Sequence, residues 1–109
     1  MATSPMEKVT NNSGSDYCKM PDGTLIQWGR VSVTTGSTKA DLGYNGYSIV
    51  SFPIDFNSIP VVLCSPEENA GYWNASATYI SKTLFAAYIA GNQQNTSKNV
   101  MWVAIGRWK

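Results

Sequence analysis

The stretch 24–34, TLIQWGRVSVT, alternates apolar with polar or small side chains at a period of two, the repeat of an extended strand whose successive side chains point to opposite faces. The same period recurs over 17–20, 47–56, 61–65, 72–81, 84–90 and 99–108, and no window carries the 3.6-residue apolar period of a helix. Turn signals separate these runs: PDG at 21–23, FNSIP at 56–60 and SKT at 81–83, the last short enough for a tight hairpin. Longer polar loops are predicted at 36–46, 66–71 and 91–98. Residues 1–16 are rich in Ser, Thr and Asn without periodicity and read as a polar linker. The domain is therefore expected over 17–109, as an all-β fold: a small antiparallel β-sandwich of about seven short strands.

The alternation also assigns faces. In SIVSFPIDF, Val50, Phe52, Ile54 and Phe56 share one side, and Pro53 marks a sheet edge or a bulge because it has no N–H to give a ladder. Ile26, Trp28 and Arg30 project together from the early strand. In the terminal VMWVAIGRW, Val100, Trp102, Ala104 and Trp108 oppose Met101, Val103, Ile105 and Arg107, so both faces are partly apolar and both require cover. Each of these two strands carries Trp and a Gly-Arg step, at Gly29-Arg30 and at Gly106-Arg107. They are expected to pack in one sandwich, with Trp28 and Trp102 in its core and the glycines admitting a neighbouring ring or backbone.

Composition narrows the function. With 109 residues the chain is one domain that buries roughly 60 to 70% of its unfolded surface. Charged residues make up 14% and aromatic residues 12%, a low charge content for a globular chain, which leaves surface for uncharged contacts. Eight basic against seven acidic residues give a net charge of +1, which supplies no electrostatic footprint for nucleic acid or an anionic membrane. No apolar run has the length of a membrane span, and MATSPMEKVTNNSGS lacks the apolar core of a secretion signal, so the expectation is folding in the compartment of synthesis, without membrane insertion. Cys18 and Cys64 have no CxxC partner and are expected as free thiols, Cys64 as a small buried hydrophobe in VVLC.

The chain contains no histidine, which removes Ser-His-Asp and Cys-His catalysis and imidazole metal sites. Two cysteines alone cannot hold zinc, and the glycines at 36, 43 and 46 lack the Lys-Ser/Thr of a phosphate loop, so no metal or cofactor is expected. A glycosidase needs two carboxyl groups facing each other about 5 to 9 Å apart. Glu67 and Glu68 are adjacent and point apart in extended backbone, which makes a poor acid/base pair even with Asp41 nearby. The expectation is a protein that is not an enzyme.

What remains is a set of aromatic and amide side chains in predicted loops. Tyr44, Asn45 and Tyr47 lie in LGYNGYS, Asn69, Tyr72, Trp73 and Asn74 in ENAGYWNA, and Asn92, Gln93, Gln94 and Asn95 in GNQQNTSKN. A ring face packs against the C–H face of a pyranose while amides orient its hydroxyls, so these residues are the candidate ligand-binding set. Loops on a rigid sandwich are where binding residues concentrate.

Three motifs in this order carry a family resemblance: LIQWG at 25–29, FPIDFNSIP at 52–60 and WVAIG at 102–106. Over about 17–108 the chain resembles the C-terminal tip domain of bacteriophage or prophage tail-fibre proteins. The resemblance implies a β-sandwich tip, a homotrimer on a fibre shaft, with residues 1–16 as the shaft junction. It implies recognition of a host cell-surface receptor, a glycan or a protein, by a virion tail fibre made in the bacterial cytoplasm. It carries no residue-level assignment, because tip loops vary with the host. A trimeric lectin-like sugar-binding module and a purely structural trimerisation cap are the alternatives. In a trimer the second apolar face of the terminal strand would be covered by a neighbouring subunit, with Ile105 and Trp108 as contact candidates.

Overall fold

A computed structural model describes residues 7–10, 15–40, 43–67 and 73–109. Among them there is no helix. The strands are β1 (Glu7–Thr10), β2 (Ser15–Lys19), β3 (Thr24–Thr34), β4 (Lys39–Ala40), β5 (Gly43–Ser51), β6 (Val61–Pro66), β7 (Asn74–Thr78), β8 (Leu84–Gly91) and β9 (Ser97–Arg107). They form a five-stranded sheet in the order β1-β2-β3-β9-β6 and a four-stranded sheet in the order β4-β5-β8-β7. All pairings are antiparallel. The fold is the expected all-β one.

β3 and β9 pair along their whole length, from Thr24 opposite Arg107 to Thr34 opposite Ser97, which places Gly29 across from Trp102. The core lies between the sheets. Leu25, Val33, Val62, Val100, Trp102 and Ala104 come from one, and Val50, Phe85, Ala87 and Ile89 from the other. Phe52 and Phe56 close it from the segment after β5, their rings edge-to-face at 4.9 Å. Gly106 makes room for this segment, because a Cβ there would lie 2.7 Å from the Phe56 ring.

Three expectations are corrected. Trp28 is not in the core: it shares the outer face with Ile26 and Arg30, while its neighbour Gln27 is fully buried. The physical reason is a two-point clamp, in which Gln27 Nε2 donates to the Ile54 carbonyl at 2.6 Å and Oε1 accepts from the Ile54 N–H at 3.0 Å. Ile54 sits beyond the end of β5 at Ser51, so no ladder strand serves its backbone, and the Gln27 amide does so instead. Second, part of the predicted linker is strand, since Glu7–Thr10 pairs with residues 16–19 of β2. Third, the polar loop at 36–46 contains a hairpin of β4 with the start of β5, and β5 begins at Gly43 rather than at Tyr47.

The predicted hairpin at 81–83 is present. Ser81 Oγ accepts from the N–H groups of Thr83 at 3.2 Å and Leu84 at 3.1 Å, and the Ser81 N–H bonds the Leu84 carbonyl. The PDG turn is held likewise by Asp22, whose Oδ1 accepts from the Thr24 N–H at 2.9 Å; that bond lowers the Asp22 pKa.

The Gln27 clamp predicts a large effect for a polar residue. Gln27→Ala leaves two part-buried backbone groups of Ile54 unpaired, and at about 1–3 kcal/mol for each such group the expected loss is about 3 kcal/mol. Urea unfolding measures it, and Gln27→Leu, which fills the space without bonding, should recover little.

Candidate functional site

One end of the sandwich gathers much of the predicted ligand-binding set. β3 runs out at Thr35, whose Oγ1 donates to the Gln93 carbonyl at 2.7 Å and accepts from the Thr96 N–H at 3.0 Å. Gly36 bonds the Asn45 carbonyl through its N–H and receives the Asn95 N–H on its own carbonyl. The 92–96 turn is thereby fastened to the β4–β5 hairpin. Asn95 takes the left-handed conformation (φ 50°) that asparagine tolerates, leaving Asn92 and Gln94 exposed.

Beside this turn, Tyr44 lies opposite Gly91, and Asn45 opposite Ala90. The structure therefore brings Tyr44, Asn45, Asn92 and Gln94 to one end. Tyr47 stands further along β5 on the same face as Asn45, and it is 58% exposed. Its ring stacks on that of Tyr88, its ladder partner, with centroids 5.2 Å apart and 22° between planes.

Trp73 is also at this end, but as a core residue. It is 7% exposed, and its ring lies on Gly91, where any Cβ would collide with it. Lys98 Nζ stands 5.3 Å from the ring centroid. So little free surface makes Trp73 a packing residue rather than the predicted ligand contact. Asn69 and Tyr72 lie outside the described residues.

Sequence reasoning missed Tyr88 and Ser76 as partners of Tyr47 and Asn45, and it picked out Asn74 only as one of the loop amides. Alternation within LFAAYIAG puts Tyr88 on the face opposite the buried Phe85, Ala87 and Ile89. Only the register shows that Tyr88 meets Tyr47, and that Ala90 lies between Asn45 and Asn74.

A second surface lies on the outer face of the five-stranded sheet. Val61 and Leu63 of β6 are 66% and 62% exposed, and Ile105 of β9 is 46% exposed. Met101 separates two shallow hollows of about 420 Å³ and 230 Å³, the first walled by Trp28 and Arg30 and the second by Leu63 and Val103. At the rim Arg30 Nε pairs with Glu67 at 2.8 Å. Ile105 is thus open in the single chain. Trp108 is not on this face: half-buried, it donates its Nε1–H to the Met20 carbonyl at 2.8 Å and closes the far end of the sandwich.

Glu67 is tied to Arg30, while Glu68 and Asp41 lie outside the described residues. No group of three His, Cys, Asp or Glu able to hold a metal ion occurs among the described residues. Cys64 is a free thiol, and burial pushes its pKa up from 9.0 to about 11. The thiol therefore stays protonated in the folded protein where an unfolded chain would ionise. Two outcomes are expected: iodoacetamide labels Cys64 slowly at pH 8 until the protein is unfolded, and this group's contribution to stability is lost as pH rises from about 9 to about 11. Mass mapping of the label and unfolding curves against pH check both.

Three solved fibre structures share this architecture. The chain superposes on the C-terminal part of the R1 pyocin fibre of P. aeruginosa with TM-score 0.68 and 19% identity, over 96% of this chain and 29% of that one. For the R2 pyocin fibre of P. aeruginosa the TM-score is 0.65 at 20% identity, over 97% of this chain and 27% of that one. For an N-truncated R1-type pyocin tail fibre it is 0.64 at 18% identity, over 92% and 85%. The chain thus spans under a third of the first two fibre chains. No curated protein sequence matches it. The family model described as tail fiber protein gp53-like, C-terminal, matches residues 19–107, from the end of β2 to the end of β9, and the chain belongs to that family of tail-fibre C-terminal domains.

Proposed function

We propose that this domain is the tip of a tail fibre in a phage or phage-like particle, that it assembles as a homotrimer on the fibre shaft, and that it recognises a glycan receptor on the host cell surface without performing chemistry. The observation that carries the reading is the division of its surface. The outer face of the five-stranded sheet presents Val61, Leu63, Met101 and Ile105 to solvent, a contiguous apolar surface of the kind that oligomer interfaces cover. The opposite face and the adjoining loop end present tyrosines and amides instead. One surface suits self-association and the other suits a polar, ring-bearing ligand.

A trimer built on the first face directs the second outward. Family membership supports the fibre context. Two measurements test the reading. Light scattering of the purified chain should give the mass of three copies, and a fluorescent chain should bind some strains of a bacterial panel and not others. A chain that binds no strain would remove the recognition reading, and a single-copy mass would remove the trimer.

A further inference from the structure

We propose that the outer face of the four-stranded sheet is a binding site for a neutral hexopyranose unit, seated over Ala90 between Asn45 and Asn74 and against the Tyr47–Tyr88 pair. The proposal rests on the recognition reading and names its site and ligand class. The face is built in rows by the ladder register. Asn45, Ala90 and Asn74 form one row across β5, β8 and β7; Tyr47, Tyr88 and Ser76 form the next. Strands lie about 4.8 Å apart, so the two asparagines stand about 10 Å apart across the small Ala90, a span that fits one pyranose ring with its hydroxyls.

The chemistry matches on each side. The tyrosine pair forms a wall one row, about 7 Å, along the strands. An aromatic face carries negative charge density that attracts the C–H groups of a sugar. Among the described residues, the side chains of Asn45, Asn74 and Ser76 make no hydrogen bond within the protein. Each amide therefore offers two donors and an acceptor, the complement that vicinal hydroxyls require.

The outward positions of these three strands include no charged residue: 43, 45, 47, 49 and 51 of β5, 84, 86, 88 and 90 of β8, and 74, 76 and 78 of β7. An acidic or phosphorylated sugar would find no counter-charge there, which selects a neutral one. Cross-strand stacking alone would stabilise the sheet, but it does not require Tyr47 to stay 58% exposed beside the 54% exposed Ile49, with unbonded amides in the next row. The row of Ala90 is the last before Tyr44 and Gly91, so the site opens at the end of the sandwich where Asn92 turns.

The test uses the whole chain with methyl glucoside, methyl galactoside and methyl mannoside as probes, and methyl glucuronide as the acidic control. Saturation transfer from the protein to the C–H protons of at least one neutral glycoside is expected, and none to the glucuronide. Tyr47→Ala should weaken that binding by about fivefold to tenfold, the scale of one aromatic contact. Asn45→Ala combined with Asn74→Ala should weaken it as well, and Tyr47→Phe should retain it. All these positions are on the sheet surface, and unchanged circular dichroism confirms folding. Transfer to no neutral glycoside, preference for the glucuronide, or undiminished binding by Tyr47→Ala each overturns the proposal. Strain binding by the unaltered chain in any of those cases would leave the recognition reading standing with its site elsewhere.

Discussion

Trp102→Ala is expected to destabilise the domain by about 3–5 kcal/mol and to lower its thermal midpoint by at least about 12 °C, the largest effect of any single substitution considered. Trp102 is 3% exposed on the inner face of the five-stranded sheet, on β9 between β3 and β6. Its ring meets Phe85 at 5.3 Å in an edge contact and Phe52 at 5.9 Å, and Phe52 in turn stacks on Phe85 at 5.5 Å. Removing the indole therefore takes one face from two other rings that join the sheets. These neighbours are held by their own ladders and turns and cannot collapse fully into the space, so a cavity penalty adds to the lost transfer energy. The indole Nε1–H has no partner in this core. Trp102→Phe keeps a ring in place and deletes that unpaired donor, so it should cost less than half as much. Differential scanning calorimetry of the two variants separates ring packing from indole chemistry; equal losses would show that the site tolerates no change of shape.

The same residue shows where sequence reading succeeds and where it stops. Alternation in VMWVAIGRW correctly put Val100, Trp102 and Ala104 on one face, and the extent read for the early strand, 24–34, agrees with β3 to the residue. Both strands are long and strongly patterned, and they support each other through an eleven-residue ladder. Alternation states which residues share a face, but not which face is inside. In LIQWGR the larger apolar surface belongs to Ile26 and Trp28, yet that set faces outward, because the inward position of Gln27 is satisfied by the backbone of Ile54. That bond joins residues 27 positions apart, and nothing local announces it.

Short strands were illegible for a related reason. β1 and β4 span four and two residues, and what defines them is pairing with β2 and β5 rather than any pattern of their own. The candidate site was legible in its residue types. Asn45 and Tyr47 were singled out as ligand contacts, and they stand on one exposed face. Tyr88 and Asn74 join them through cross-strand register, which a single sequence does not encode visibly. Trp73 was read as a loop aromatic for want of one fact, the seat that Gly91 provides on the neighbouring strand.

On the opposite face, Leu63→Arg combined with Ile105→Arg is expected to convert the proposed trimer into single chains of 11.9 kDa without unfolding them. Each residue is about half exposed or more in the isolated chain, so an arginine there meets water and costs the fold little. In the proposed trimer the same positions would lose their solvent. Burying a leucine or isoleucine side chain stabilises by roughly 1.5–3 kcal/mol, and an arginine in its place forfeits that and adds the cost of an unpaired buried charge. The penalty recurs in every subunit of a symmetric ring, so even a strong association fails at micromolar concentration. Tyr47→Ala serves as the control, because Tyr47 stands on the four-stranded sheet, and it should leave the mass unchanged. Light scattering reads all three proteins directly. Persistence of the trimer in the double-arginine variant would move the threefold contact to another face, and would free the apolar surface of β6 and β9 for a partner other than the chain itself.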